Sequence, residues 1–412
     1  METPFKIFFS ISIVILSIVI IHKIMNSETD KFITKLLHEN TKLRLIYNKE
    51  RTEKNTKNTI IINDPIMFDK IAIKGELGLA ESYMDGDWDT DDLEKVLMEL
   101  DEKQDILISK LYNINFIFLI MKEYLIDFFK NKNDKESVKN NVSHHYDIGN
   151  DLYEKMLDKN MQYTCAYFHK EKLSLDEAQV AKMELIAKKL NLKEGLELLD
   201  IGCGFGGLAN YLANKYKVKV TGVTLSKEQI KYNENNFKND NVTLRYLDYR
   251  DLTGSFDRVY SIGMFEHVGK KNYKEYYDKC YDLLKDDGIM MIHTIGSTYP
   301  SISNKSYFIN KYIFPEAELP SLSDISKEFV FNKWHLEDFQ NFGLSYSKTL
   351  KNWHNNIGDW SGLDNYDQRF RRMWDFYLLG CSAAFSNKSI YLWQFIYTKK
   401  TNNKFDGYYI RS

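Results

Sequence analysis

The sequence predicts an α/β protein, a parallel, doubly wound sheet preceded by a small helical domain and an N-terminal membrane anchor. Three observations predict it. Strand-like and helix-like segments alternate from about Leu173 onward. A glycine-rich turn joins the first of these strands to a helix, and an uncharged apolar run opens the chain.

The opening run, Ile7 to His22, spans about 16 residues between Lys6 and Lys23. A spanning helix needs roughly 17–25 residues, so the run sits at the short limit. No small-x-small cleavage site follows, so residues 1–27 read as a single-pass anchor rather than a cleaved signal peptide. Lysines on both flanks leave its orientation open. Residues 28–130 read as a small helical domain. Its first part, to about residue 58, is polar, and 60–130 carry helical periodicity. Within it, Leu111 to Lys130 reads either as a helix buried against the next domain or as an amphipathic helix dipping into a membrane interface. Residues 131–142 are charged and Asn-rich, a linker.

Residues 143–400 form the α/β domain, and 401–412 a tail. The strands in order are LELLDIG, KVKVTGVTL, VTLRYLD, FDRVYSIG and GIMMIHTIG, with FGLSYSKTL and SIYLWQFIYTKK as two more. LSKEQIKYNENNFKN and KKNYKEYYDKCYDLLKDD supply helices between them.

Composition narrows the partners. Formal charge is -2, which lends nothing to a nucleic-acid partner. The 4 cysteines lack metal-ligand spacing and need no disulfide. His144 and His145 have no third ligand at suitable spacing, so no metal is expected. Aromatic content is 14%, suited to apolar clefts as well as to ordinary cores.

The strongest motif is LLDIGCGFGGLA, Leu198 to Ala209. Its glycines allow positive φ and close backbone approach to a ligand. A dinucleotide site would expect an acid about 20 residues on, to bind ribose. Thr224 occupies that region instead, in GVTLSKEQ. The Asp-x-Gly-x-Gly-x-Gly spacing resembles motif I of the class I S-adenosylmethionine methyltransferases. Further motifs make the resemblance more specific: HHYDIGNDLYEKMLDKNMQYTCAYF, GMFEHVG, MIHTIGS, NKYIFPEAELPS and GCSAAF. In that order, from about Leu77 to Lys399, the chain resembles the cyclopropane-fatty-acyl-phospholipid synthases and the mycolic acid cyclopropane synthases. Phe205, where that family often carries Trp, and the anchor are departures.

The resemblance implies a Rossmann-like seven-stranded methyltransferase domain behind a helical domain that engages lipid. The implied reaction methylates a cis double bond of an unsaturated phospholipid in a bilayer and closes a cyclopropane ring. Bicarbonate would serve as the base and S-adenosylmethionine as the methyl donor. A homodimer is left open. Carried over by motif, the catalytic set is Glu266, His293 and Tyr346, with Cys165 and Ile295 giving backbone contacts. Cys381 is its least certain member, because a nucleophile has no task in this chemistry. The implied cofactor contacts are Tyr163 and Thr164, then Leu198, Leu199, Asp200, Ile201, Gly202, Cys203, Gly204, Phe205 and Gly206. They continue with Thr224, Leu225, Ser226, Lys227, Glu228 and Gln229, then Tyr249 and Arg250. Glu266 and His267 are adjacent, but the reading separates them and leaves His267 a bystander. Two rivals stand beside this reading. One is a methyltransferase giving branched lipids or N-methylated amines, and the other a non-catalytic lipid-binding or cofactor-binding protein.

Overall fold

The computed structural model describes residues 29–48, 58–111, 149–298, 306–330, 333–402, 405 and 407–411. The anchor (Ile7 to His22), His144 and His145, the linker and nearly all of the Leu111–Lys130 run lie outside them. Among the described residues no helix is long and apolar enough to cross a membrane. The chain divides into two compact units: Met1–Lys122 with Asp367–Phe376, and Glu123–Tyr366 with Tyr377–Ser412.

The first unit is not purely helical. Strands β1 (Arg44–Tyr47), β2 (Thr59–Ile62) and β3 (Trp88–Asp89) form a three-stranded sheet in that order. Helices α1 (Ile66–Lys74), α2 (Glu76–Asp85), α3 (Leu93–Glu102) and α4 (Gln104–Leu111) complete it. The β-branched run TIII in β2 is wholly buried, which explains why this short segment prefers a strand to the expected helix. Lys70 is paired with Asp85 and Asp87 at 2.7 and 2.6 Å, tying α1 to the end of α2.

The second unit holds α5 (Asn150–Met156), α6 (Leu175–Lys189), β4 (Glu197–Ile201), α7 (Gly207–Tyr216), β5 (Lys219–Thr224) and α8 (Lys227–Asn236). It continues through β6 (Val242–Tyr246), β7 (Phe256–Ile262), α9 (Tyr273–Leu283), β8 (Leu284–Gly296), α10 (Leu322–Val330) and β9 (Trp334–Asn341). Helices α11 (Gly343–Ile357) and α12 (Gln368–Ser386), strand β10 (Tyr391–Lys399) and α13 (Tyr408–Arg411) follow, the first part of α12 counting with the first unit.

The sheet order is β6-β5-β4-β7-β8-β10-β9, seven strands. The first five named are parallel, and β10 runs antiparallel to both β8 and β9. Both faces are covered. Successive residues of β8 alternate, Met290 and Ile292 packing on one face with Tyr276 and Phe395, Ile289 and Met291 on the other with Leu208 and Ile396. Strand order reverses at β4–β7, where the carboxyl ends of an open parallel sheet diverge and leave a crevice.

FGLSYSKTL, expected as a strand, is a helix: Gly343–Ile357 is one continuous turn-by-turn run. Its buried residues Tyr346, Thr349, Leu350, Trp353 and Ile357 recur at spacings of three and four, a helical stripe that outweighs the local alternation. The last sheet strand on that side is instead the preceding WHLEDFQN. At the C-terminal end, Ile410 is buried in the sheet core and the Tyr409 hydroxyl donates to the Lys189 carbonyl at 3.1 Å, so this segment packs onto α6.

Candidate active site

At the β4–β7 switch point a cleft of about 750 Å³ opens. Ile201, Gly202 and Gly204 line it from the β4–α7 turn, Thr224, Leu225 and Gln229 from the β5–α8 junction, and Tyr249 and Arg250 from the turn after β6. These eight belong to the expected cofactor set. The others lie beside the cleft without lining it: Tyr163, Thr164, Leu198, Leu199, Asp200, Cys203, Phe205, Gly206, Ser226, Lys227 and Glu228. Several of them build its walls. The Ser226 hydroxyl caps α8 by accepting from the Gln229 amide, and Leu198, Leu199 and Asp200 are buried in β4. Burial pushes the Asp200 carboxyl up to about 7.

The lining also includes Val223, Leu247, Asp248, Gly263, Met264, His267 and Val268, which the sequence reading did not name as contacts. Asp248 holds Arg250 through two hydrogen bonds, at 2.9 and 2.7 Å, and so orients the guanidinium at the rim. The Asp-x-Arg spacing after strand three was the available signal. His267 is therefore no bystander in position: it lines the cleft, and its ring lies 6.0 Å from that of Phe314.

The cleft suits a nucleoside-bearing group. Thr224 donates to Gln229 Oε1 at 2.7 Å, and Gln229 Nε2 is buried with no partner, a donor for a ribose hydroxyl. At Gly204 φ is +55°, and a Cβ would meet nothing within 4 Å, so the backbone stands open to a ligand. At Gly202 a Cβ would strike Met264 at 2.5 Å.

Deeper in the same unit, β7 ends at Ile262 and a single 3₁₀ turn, Phe265–His267, carries Glu266. Glu266 thus stands on a turn beyond the strand, and it is anchored twice. Its Oε1 accepts from the Ile295 amide at 2.6 Å, and its carbonyl accepts from the Glu318 amide at 2.9 Å. The Ile295 N–H, expected to face an anion, is engaged by the carboxylate itself. Glu266 Oε2 is buried with no partner, and burial, opposed in part by the Ile295 amide, holds the carboxyl up at about 7.

His293 lies within β8 and is 1% exposed. Burial, with the charges of Lys182 and Lys189, keeps its imidazole neutral. Its Nε2 is buried without a partner. Burial drives the hydroxyl pKa of Tyr346, on α11, well up and leaves a neutral donor, with Cys165, Glu266, Tyr163 and Cys381 near enough to add to the shift. Lys182, fully buried in α6, acts on both Cys165 and His293. Cys165, Glu266 and Cys381 thus lie near Tyr346, Ile295 joins them through its bond to Glu266, and His293 stands two residues before Ile295 on β8. Burial raises the Cys165 thiol far above the range of a nucleophile, and its Sγ donates to the Ala166 carbonyl at 3.1 Å.

The expected loop Tyr163–Thr164 is held from α6. Gln179 donates to the Gln162 and Thr164 carbonyls, at 3.2 and 2.9 Å, and Lys182 donates to Gln162 Oε1 and Thr164 Oγ1, both at 2.8 Å. A lysine inside an amphipathic helix reads as solvent-facing, so the sequence offered no signal for this role. Rings close around the loop: Tyr163 lies 5.2 Å from both Tyr153 and Trp353, Phe205 5.6 Å from Tyr153, and Tyr346 stacks on Phe385 at 4.6 Å. Such a lining excludes water and presents π-faces to positive charge.

Comparison with known proteins identifies relatives in sequence and in fold. The family model described as mycolic acid cyclopropane synthetase matches residues 133–395. The chain is 40% identical over 361 residues to the cyclopropane-fatty-acyl-phospholipid synthase of Escherichia coli (strain K12), covering 84% of this chain and 88% of that protein. Among solved structures, the cyclopropane synthase MmaA2 from Mycobacterium tuberculosis superposes with a TM-score of 0.60 at 27% identity, over 63% of this chain and 98% of that one. The mycolic acid cyclopropane synthase CmaA1 complexed with SAH and CTAB gives 0.58 at 30% identity, over 63% and 98%. By family model, by sequence and by fold, the chain belongs to the mycolic acid cyclopropane synthetase family.

Proposed function

We propose that this protein converts cis double bonds in unsaturated phospholipid acyl chains to cyclopropanes, using S-adenosylmethionine and a bound bicarbonate. One observation carries the reading. Glu266 Oε2 and His293 Nε2, one an acceptor and one a ring nitrogen, are both buried and partnerless in an aromatic-lined interior beside the nucleoside cleft. Buried polar atoms are normally satisfied, so a pair left open fits a small hydrogen-bonding ion.

When bound, S-adenosylmethionine supplies an electrophilic methyl, which an alkene attacks with its π electrons to leave a cation on the adjacent carbon. A bound bicarbonate would supply the base for the proton lost from the added methyl, whose C–H electrons would close the ring. The residues do the rest. Gln229, Thr224, Gly202 and Gly204 would hold the donor's nucleoside end, and Asp248 orients Arg250 beside it. Glu266 would accept from the hydroxyl of such an anion, while His293 and Tyr346 would donate to its oxygens. Tyr163, Trp353 and Phe385 keep water away from the cation. Cys381 stays in the neighbourhood as packing. The lipids remain in a bilayer, and the run Ile7–His22 would hold the enzyme at that surface and raise its effective concentration.

The test is direct. Purified protein, S-adenosylmethionine, bicarbonate and vesicles of unsaturated phospholipid should yield acyl chains heavier by one CH₂, with loss of olefinic proton signals. Products that gain the carbon but keep a double bond would overturn ring closure and leave a branching methyltransferase.

A further inference from the structure

His293 has a partner that no sequence motif announced. In the antiparallel β8–β10 pair, Gln394 is the direct cross-strand neighbour of His293. The Gln394 amide nitrogen lies 3.1 Å from His293 Nδ1, and both residues are buried, at 0% and 1% exposure. The Phe342 ring meets the imidazole edge to face at 5.8 Å and restricts its plane. An amide NH₂ can only donate, so Nδ1 must accept. A neutral imidazole carries one proton, and that proton then sits on Nε2, the nitrogen with no protein partner.

The opposite orientation of the amide does not suit a bound anion. Gln394 Oε1 would take a proton on Nδ1, turning Nε2 into an acceptor. Glu266 Oε2 is already an acceptor without a partner. An anion with a single hydroxyl satisfies one acceptor and needs donors for its remaining oxygens, so a second acceptor would repel it.

We infer that Gln394 is a positioning residue that holds His293 as the Nε2–H tautomer and so makes it a hydrogen-bond donor to the bound anion. The inference rests on the bicarbonate reading above for the identity of that anion. Gln394 itself does not touch the reacting atoms. It acts through the ring, as an outer partner does when it selects the tautomer of a ligating histidine.

The experiment is long-range proton–nitrogen spectroscopy on the full chain labelled at histidine nitrogens, with His293 assigned by the signals lost in His293→Gln. Wild-type protein should show a protonated Nε2 and a bare, hydrogen-bonded Nδ1. In Gln394→Leu, the Nδ1 resonance should move to the position of a nitrogen without a donor. Its kcat should fall roughly 10–100-fold, with the KM for S-adenosylmethionine unchanged. A wild-type proton on Nδ1 overturns the inference, as does a Gln394→Leu spectrum in which Nδ1 stays put. The wild-type spectrum decides even if the variant fails to fold. Binding of carbon-13 bicarbonate is read separately. A proton on Nε2 with no bicarbonate binding strikes the anion reading and leaves the Gln394 assignment in place.

Discussion

The Ile295 amide donates to Glu266 Oε1 at 2.6 Å, pinning one oxygen of the carboxylate while the other faces the interior without a partner. That asymmetry separates anchoring from chemistry. In Glu266→Gln the amide oxygen can keep the Ile295 contact, but an NH₂ replaces the acceptor. We expect S-adenosylmethionine to bind as in wild type while kcat falls roughly 10²–10⁴-fold. Calorimetric binding beside steady-state rates checks it, and full turnover in the variant rules the role out.

The same carboxyl has a pH signature in stability. Its folded pKa, about 7, lies above the ordinary value of 4.5, so the folded chain holds the proton more tightly than the unfolded one. Stability from this group is therefore complete below about 4.5 and is lost as pH rises through about 7. Glu266→Gln removes that loss. Relative to wild type, the variant should gain stability across this window, while Asp200, also raised to about 7, acts in both proteins alike. Thermal midpoints measured through the window should diverge; a constant difference contradicts the assignment.

Gln229 should divide binding from rate. Its partnerless Nε2 is expected to donate to the ribose of the cofactor. Gln229→Leu should raise the KM for S-adenosylmethionine roughly 3–10-fold and leave kcat at saturation near wild type. A fall in kcat at unchanged KM would place Gln229 in the chemistry instead.

Two neighbouring glycines should respond differently. Gly204→Ala adds a methyl to open space at a φ of +55°, costing about 1–2 kcal/mol of stability, and projects it at the ligand. Gly202→Ala adds the same backbone strain and also drives its Cβ onto Met264. We expect Gly204→Ala to be folded with cofactor affinity lowered roughly tenfold or more, and Gly202→Ala to melt earlier. Circular dichroism melts paired with binding isotherms distinguish them.

Much of this was legible in the sequence, for identifiable reasons. Strands β4, β5, β7 and β8 are largely buried runs bounded by turns, because helices cover both of their faces, whereas the edge strand β6 keeps its side chains partly exposed. The glycine turn announced the cleft because backbone geometry demands that residue type. FGLSYSKTL was misread because its short alternation mimics a strand, whereas the helix shows itself only when the window extends to Ile357. The small sheet of the first unit escaped because β3 is two residues long, its partners being set by tertiary contact. Lys182 and Gln394 were invisible for a common reason. Their roles depend on what lies across from them in space, and a lysine or glutamine has no motif of its own.

The placement of β10 also orders events during synthesis. The cleft residues, from Ile201 to Val268, all precede β8 in the chain, whereas His293 acquires Gln394 only once β10 has slotted between β8 and β9. A growing chain thus has every residue of its nucleoside crevice in hand before the partner that sets the imidazole is made. The setting of the imidazole thus waits on the penultimate position of the sheet being filled.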